Sequence, residues 1–165
     1  MKKPHDVSDA VIDVWRTNNR VTVYLIEHLP EDLWTAKVPG APRRTVRMIA
    51  GHIHNCRCMW IKMIAGRHGL EVPESVDRHR ATRKQVISAL KRSGRGVEKL
   101  LRFGFDRPDE FGTARMDAAH FMAYLAVHEG HHRGQICMIA RQVGKRLPGE
   151  VTAGIWQWSK RMKEV

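Results

Sequence analysis

Two histidines four residues apart carry the strongest chemical signal in the sequence. His128 and His132 belong to the segment VHEGHHRGQ, residues 127–135. Side chains four apart on a helix project from the same face, so two imidazoles at this spacing can reach one cation. They share that face with Leu125 and Ile136, and an unsatisfied polar group buried there costs about 1–3 kcal/mol. A metal would satisfy both rings, and the spacing therefore predicts a metal-binding pair.

A third imidazole is available on the second predicted helix. His52 lies there on a stripe with Met48, Cys56 and Met59, whereas His54 lies about 200° further round the helix and does not share the inward direction. Alone, His52 would be interpreted as a core histidine bonded to a polar group. Opposite an i,i+4 histidine pair, it is predicted to be the third ligand. Such a site suits zinc or nickel, with iron, cobalt and manganese as alternatives.

The letters HEGHH also match the H-E-x-x-H pattern of zinc peptidases. A peptidase of that kind needs a further ligand downstream on the chain and an edge strand that holds the peptide. The sequence contains no convincing alternating strand pattern. A peptidase is therefore disfavoured.

Several polar residues lie close to the predicted ligands, and each has two interpretations. Glu129 and Arg133 are the candidate catalytic residues: Glu129 is a general base or is merely solvated, and Arg133 anchors an anionic substrate or forms a structural ion pair. Gln135 is a candidate to hydrogen-bond a ligand or to anchor an anionic substrate. Asn18 occupies an inward position from which it can bind a ligand histidine or the substrate. Cys56 adds a thiolate ligand or, as a small apolar residue, packs in the core.

These residues are positioned by helices, because apolar residues recur with a period near 3.6. The sequence predicts an all-α fold, a four-helix bundle with a short extra C-terminal helix, as one domain over residues 1–165. Met48, Met59, Met63 and Met138 are expected to fill its core. The predicted helices run from the N-cap Ser8 to Leu29, from Thr45 to about Arg67, from the N-cap Thr82 through Leu101, from about Asp117 to Val143 and from Val151 to Met162, with a connection over Phe103–Gly112.

The chain resembles the DinB/YfiT-like superfamily of metalloenzymes. The matching features are TVRMIAGHIHN at residues 45–55, HEGHHRGQI at residues 128–136 and GIWQW at residues 154–158. The match covers nearly the whole chain in the same order. The resemblance implies a four-helix bundle with a three-histidine metal site, here His52, His128 and His132. Several relatives are thiol-dependent S-transferases or isomerases, and many have no assigned activity. The resemblance therefore specifies the site better than the reaction.

Charge and composition limit the partners and the compartment. The net charge is +12, and residues 34–70 and 78–97 each contain seven Lys or Arg and no carboxylate. Anionic partners are plausible, but no helix-turn-helix or RNA-binding motif accompanies the charge, so we expect nucleic-acid binding to be weak and non-specific.

No apolar run is long enough for a membrane span, and three cysteines do not form a disulfide framework. We expect a cytoplasmic protein without membrane contact.

The sequence supports two functional hypotheses. The first is a metal-dependent enzyme for a small-molecule substrate. It would catalyse thiol transfer with a low-molecular-weight thiol, or a related addition or elimination; hydrolysis by metal-activated water is the alternative chemistry. The second is a non-catalytic bundle that binds an anion or nucleic acid and holds a structural metal. A homodimer is compatible with either hypothesis.

Overall fold

The computed structural model describes residues 6–111 and 116–164 of the chain. The predicted helical bundle is confirmed, and no helix in these two ranges is long and apolar enough to cross a membrane. The elements are α1 (Val7–Glu27), β1 (Lys37–Val38), β2 (Ala41–Thr45), α2 (Val46–Ala65), α3 (Arg83–Asp106), α4 (Ala118–Gln142), α5 (Gly149–Gly154) and α6 (Trp158–Arg161).

Three of the four long helices begin where the sequence predicts, and each of the three has a side-chain cap. The side chains of Thr45 and Asp117 each accept a hydrogen bond from the backbone N–H three residues ahead. Thr82 and Gln85 form a reciprocal capping box at the start of α3. Caps of this kind satisfy N–H groups that have no partner within the helix, and each stabilises its helix by about 1 kcal/mol.

Two helix boundaries differ from the prediction. The cap of α1 is Asp6 and not Ser8, because the Asp6 carboxylate accepts hydrogen bonds from both the backbone N–H of Ser8 at 2.9 Å and its hydroxyl at 2.7 Å. Helix α3 continues to Asp106, into the predicted connection at 103–112. Gly112 lies outside the described residues.

A short antiparallel hairpin precedes α2, although the sequence analysis expects no strand. Strands β1 and β2 pair Lys37 with Thr45 and Val38 with Ala41. Gly40 has φ 73° between the strands, a left-handed conformation that glycine adopts without strain. Strands of two and five residues are too short to produce a recognisable alternation. Pro39 and Gly40 form the turn of this hairpin.

The four long helices enclose two apolar clusters separated by a polar layer. Each of α1 and α2 contacts both α3 and α4. Buried polar side chains lie between the clusters on all four helices, so the layer crosses the middle of the bundle. The first cluster includes Leu25, Ile49, Leu90 and Ile136, the second includes Trp15, Ile61, Val97 and Phe121, and the layer contains Asn18, Thr22, His54, Arg57, Ser93, Glu129 and His132.

The expectation that methionines fill the core is wrong for three of the four. Met59, Met63 and Met138 are exposed by 45%, 54% and 54%, while Met48 is half-buried. On α2, Ile53 and Ile61 face the core, and the stripe with the methionines lies at its edge. Both sides of α2 are apolar in sequence, which makes the choice of core face ambiguous.

The C-terminal segment forms two short helices instead of the single predicted helix from Val151 to Met162. The backbone of Gly154 lies against the Tyr24 ring, and the N–H of Gln157 donates to the Gly154 carbonyl at 3.3 Å in a turn between α5 and α6. Trp156 lies in this turn and is 79% exposed. Packing against α1 therefore interrupts the predicted helix.

Candidate metal centre

Three histidines from two helices meet in the middle of the bundle. One ring nitrogen from each of His52 on α2 and His128 and His132 on α4 lies within 4.8 Å of the other two. The ring centroids are 4.5 Å apart for His128 and His132 and 4.8 Å apart for His52 and His132. The structure thus brings together the three histidines that the sequence analysis selects.

The arrangement of these nitrogens suits a cation with open coordination positions. The Nε2 atoms of His128 and His132 are 3.2 Å apart, so the i,i+4 pair directs both rings to one region. Among the described residues, neither Cys56 nor Glu129 joins the group of candidate ligand atoms. Three protein ligands with a free position are the arrangement of catalytic zinc sites, whereas structural sites usually have four.

Gln135 orients His132 for binding through Nε2. The Nδ1 atom of His132 lies 2.9 Å from Oε1 of Gln135. A carbonyl oxygen only accepts a hydrogen bond, so Nδ1 must carry the ring proton and the lone pair of a neutral ring lies on Nε2. Nε2 is the atom that faces His128. Gln135 therefore contacts one of the three candidate ligands.

Burial keeps the three imidazoles neutral at physiological pH. Burial is the largest cause that lowers the pKa of each ring. For His132 the net result is a pKa of about 4, to which the nearby histidines contribute and which the Gln135 hydrogen bond opposes. The pKa values of His52 and His128 are also lowered. Since metals bind the neutral form, the site needs little proton release on binding at pH 7.

Glu129 is buried, and the expectation that it is solvated is wrong. Its side chain is 1% exposed and pairs with Arg57, which is equally buried. Arg57 donates from Nε to Oε1 at 2.7 Å and from Nη2 to Oε2 at 2.9 Å. Burial raises the pKa of Glu129, but the charge of Arg57 and these hydrogen bonds outweigh that effect and leave the pKa lowered. The carboxylate is therefore ionised and fully bonded.

Helix α1 completes the shell around Glu129. Asn18 Nδ2 and Thr22 Oγ1 both donate to Glu129 Oε2, at 3.0 and 2.9 Å. Arg133 donates to Asn18 Oδ1 at 3.0 Å and to Thr22 Oγ1 at 2.7 Å, and its Nη1 is 3.9 Å from Glu129. Asn18 therefore binds Glu129 and Arg133 rather than a ligand histidine, and the half-buried Arg133 is hydrogen-bonded to the polar layer.

Arg57 is the central residue of this network that the sequence analysis does not single out. It also donates to Asn19 Oδ1 at 2.8 Å and to the Leu90 carbonyl at 2.9 Å, which links α2 to α1 and α3. A usable signal is present: Arg57 is the one charged residue within the run IAGHIHNCRCMWI, residues 49–61. A single charge in such a run predicts a buried partner of opposite sign.

The other histidines near the centre are not ligands. His54 is fully buried against α3 and the 72–76 segment, with Nδ1 3.0 Å from Ser93 Oγ and Nε2 2.8 Å from the Glu74 carbonyl. It does not share the direction of His52, as predicted, but it faces the bundle interior and not solvent. His131 is exposed next to the ligand pair.

Comparison with known proteins identifies the family. The model of the DinB family matches residues 1–158 of the chain. No curated protein and no solved structure matches it. The matched region contains all four long helices and the three clustered histidines. The chain belongs to the DinB family.

Proposed function

We propose that this protein is a metal-dependent enzyme in which His52, His128 and His132 hold one divalent cation. The observation that carries the proposal is the convergence of three ring nitrogens within 4.8 Å, with His132 held in the tautomer that binds metal through Nε2. Zinc or nickel suits three neutral imidazoles best, and iron, cobalt or manganese is compatible with them. A bound ion supplies Lewis acidity, which lowers the pKa of a water or thiol that it binds.

Neighbouring side chains orient the candidate ligands through hydrogen bonds and ring stacking. Gln135 keeps the proton of His132 on Nδ1, and Tyr124 stacks on His128 with ring centroids 6.2 Å apart. Glu129 and Arg133 lie on the same helix as two ligands and are bonded to α1 and α2. We propose that they position α4. Direct acid–base catalysis by Glu129 stays a prediction.

The reaction we favour is transfer of a small thiol to an organic substrate, or a related addition or elimination. Membership of the DinB family supports this class, and the open coordination positions suit a thiolate. Hydrolysis by metal-activated water uses the same three ligands and is the alternative chemistry. Both reactions take small molecules, since the three histidines lie between α2 and α4 with one of them buried and two half-buried.

Elemental analysis of protein purified without added metal tests the site. We expect about one equivalent of a divalent metal in the wild type and a large loss in His128→Ala, because two remaining imidazoles bind far more weakly. His131→Ala is the matched control, since it removes an exposed neighbouring imidazole that is not part of the cluster. Equal metal content in wild type and His128→Ala would contradict the proposal.

A further inference from the structure

A cavity of about 840 Å³ lies between α1, α3 and α6. The described residues that line it include none of the three clustered histidines, so it is separate from the candidate metal centre. The buried residues Trp15 and Gly94 form part of its lining, and the Trp15 indole donates to the Gly94 carbonyl at 2.9 Å. The volume is within the range of roughly 300–1,000 Å³ that is typical of small-molecule pockets.

The lining of this cavity has an excess of positive charge. It contains six Lys or Arg side chains and three carboxylates. Each carboxylate pairs with one of the basic groups, and the pairs are Arg16–Glu98, Lys91–Glu27 and Arg161–Glu164. Within residues 6–111 and 116–164, the remaining basic side chains have no carboxylate within 4.0 Å; they are Arg20, Arg95 and Lys160.

Two of the ion pairs show which residues of α1 and α3 face each other across the cavity. Arg16 bonds to Glu98 at 2.5 Å and Lys91 to Glu27 at 2.9 Å, so the helices are antiparallel here. Arg20 lies four residues beyond Arg16 on α1. Arg95 lies three residues from Glu98 on α3, in the same direction along the bundle. Both are about one helical turn from the first pair, and they therefore lie at nearly the same level.

At this level two positive charges stand where the neighbouring levels have ion pairs. Guanidinium groups that line one cavity repel each other unless an anion lies between them. The half-buried Arg20 is tied to α6, because its Nη1 donates to the carbonyls of Arg161 at 3.3 Å and Met162 at 3.2 Å. These bonds restrict its movement away from Arg95. The arrangement therefore favours a bound anion.

Two further side chains add hydrogen-bond donors to the cavity. Asn19 Oδ1 accepts from Arg57 Nη1 at 2.8 Å, which identifies the oxygen side of the amide and leaves Nδ2 without an acceptor among the described residues. Arg161 is 4% exposed and stacks over the Tyr24 ring at 4.1 Å, and its Nε has no hydrogen-bond partner in the part of the chain that the structure describes. The lining thus has more donors than acceptors.

We propose that this cavity binds a small polyanion between Arg20 and Arg95, with Lys160 as a third cationic contact. Guanidinium groups bind phosphate and carboxylate oxygens through paired, charge-assisted hydrogen bonds. A ligand with two or more negative charges neutralises the excess that the three ion pairs leave. The site is separate from the three histidines and does not depend on the proposed enzymatic function.

Calorimetric titration with pyrophosphate and with citrate, at roughly 0.15 M salt, tests the site and separates phosphate from carboxylate recognition. We expect one equivalent of at least one of these anions to bind the wild type. The double variant R20Q/R95Q should weaken that binding about tenfold or more, because two charge-assisted contacts are lost. R92Q/K99Q is the matched control: it removes two positive charges from exposed positions of α3 that do not line the cavity. It should bind nearly as tightly as the wild type.

Both anions also chelate metals, so the titrations are repeated with His128→Ala. Binding in the cavity should persist in this variant, whereas binding at the metal centre should be lost there and persist in R20Q/R95Q. Failure of the wild type to bind either anion, equal weakening in the two double variants, or binding that survives in R20Q/R95Q overturns the inference.

Arg95→Gln alone keeps the test decisive if R20Q/R95Q does not fold. Arg95 has no hydrogen-bond or ion-pair partner within residues 6–111 and 116–164, so its replacement removes a like charge and breaks no recorded contact. A ligand that binds only the folded protein raises the thermal midpoint. We expect the anion to raise the midpoint of the wild type more than that of Arg95→Gln, and an equal rise in both overturns the inference.

Discussion

Gln135 controls which nitrogen of His132 faces the metal centre. Replacing it with alanine removes the acceptor 2.9 Å from Nδ1 and frees the ring to rotate and change tautomer. We expect Gln135→Ala to weaken zinc binding about 10- to 100-fold, the usual effect of losing a partner that orients a metal ligand. Competition with a chromophoric chelator measures the affinity. Gln142→Ala, at the exposed end of the same helix, is the control, and equal affinities for both variants would refute the orienting role.

Arg57 and Glu129 form a buried ion pair in the polar layer, and each residue neutralises the charge of the other. Both side chains are 1% exposed, so removing one leaves an uncompensated buried charge. We expect Arg57→Met to lower the free energy of unfolding of the metal-free protein by about 3–5 kcal/mol. The double variant R57M/E129L should recover part of that loss, because the buried Glu129 charge is then removed as well, while Arg133 loses the carboxylate that lies 3.9 Å from its Nη1. Urea denaturation measures both, and a loss below about 1 kcal/mol in Arg57→Met would show that the pair contributes little.

At the scale of elements, α1 and α3 approach each other closely at Gly94. A Cβ on Gly94 would lie 2.5 Å from Nδ2 of Asn19, and Asn19 is held in place by Arg57. We expect Gly94→Ala to destabilise the protein by about 1–3 kcal/mol, despite its better helix propensity, because the helices must separate. Denaturant midpoints measure the change.

Gly134 on α4 provides the matched comparison. A Cβ there meets no atom within 4 Å, so Gly134→Ala should raise the stability by about 0.5–1 kcal/mol through reduced backbone entropy of the unfolded chain. If both alanine variants changed the stability in the same direction, close packing of α1 on α3 would not be the reason for glycine at position 94.

For the whole molecule, the buried histidines predict a dependence of stability on pH. The pKa of His132 is lowered by burial to about 4, and those of His52 and His54 are also lowered by burial. As the pH falls from about 6.5 toward 4, the unfolded chain takes up protons that the folded protein does not. The free energy of unfolding of metal-free protein should therefore decrease over this interval and be nearly constant just above it. Denaturation at pH 7.5 and 5 checks this, and His132→Asn should show a smaller decrease.

The long helices, most of their caps and the ligand pair can be predicted from sequence because they depend on neighbours along the chain. Thr45, Thr82 and Asp117 bond to backbone groups within three residues, and His128 and His132 are brought together by one helical turn. The helical spacing that defines such contacts is the same in every protein. Contacts between residues close in sequence were therefore sufficient to predict the fold class and two of the three candidate ligands.

The remaining features depend on how the helices are rotated and which of them are neighbours. The stripe of α2 with Met59 and Met63 is as apolar in sequence as its core face, and only packing against α3 and α4 places the methionines at the edge. The bonds between Arg57 and Glu129 join residues 72 positions apart, and Arg78 approaches Gly51 through a loop fastened by Asn55. Such contacts arise when the whole bundle closes. The strength of these contacts depends on burial, and a side chain is buried only when several helices pack around it. The tertiary structure was therefore needed to identify them.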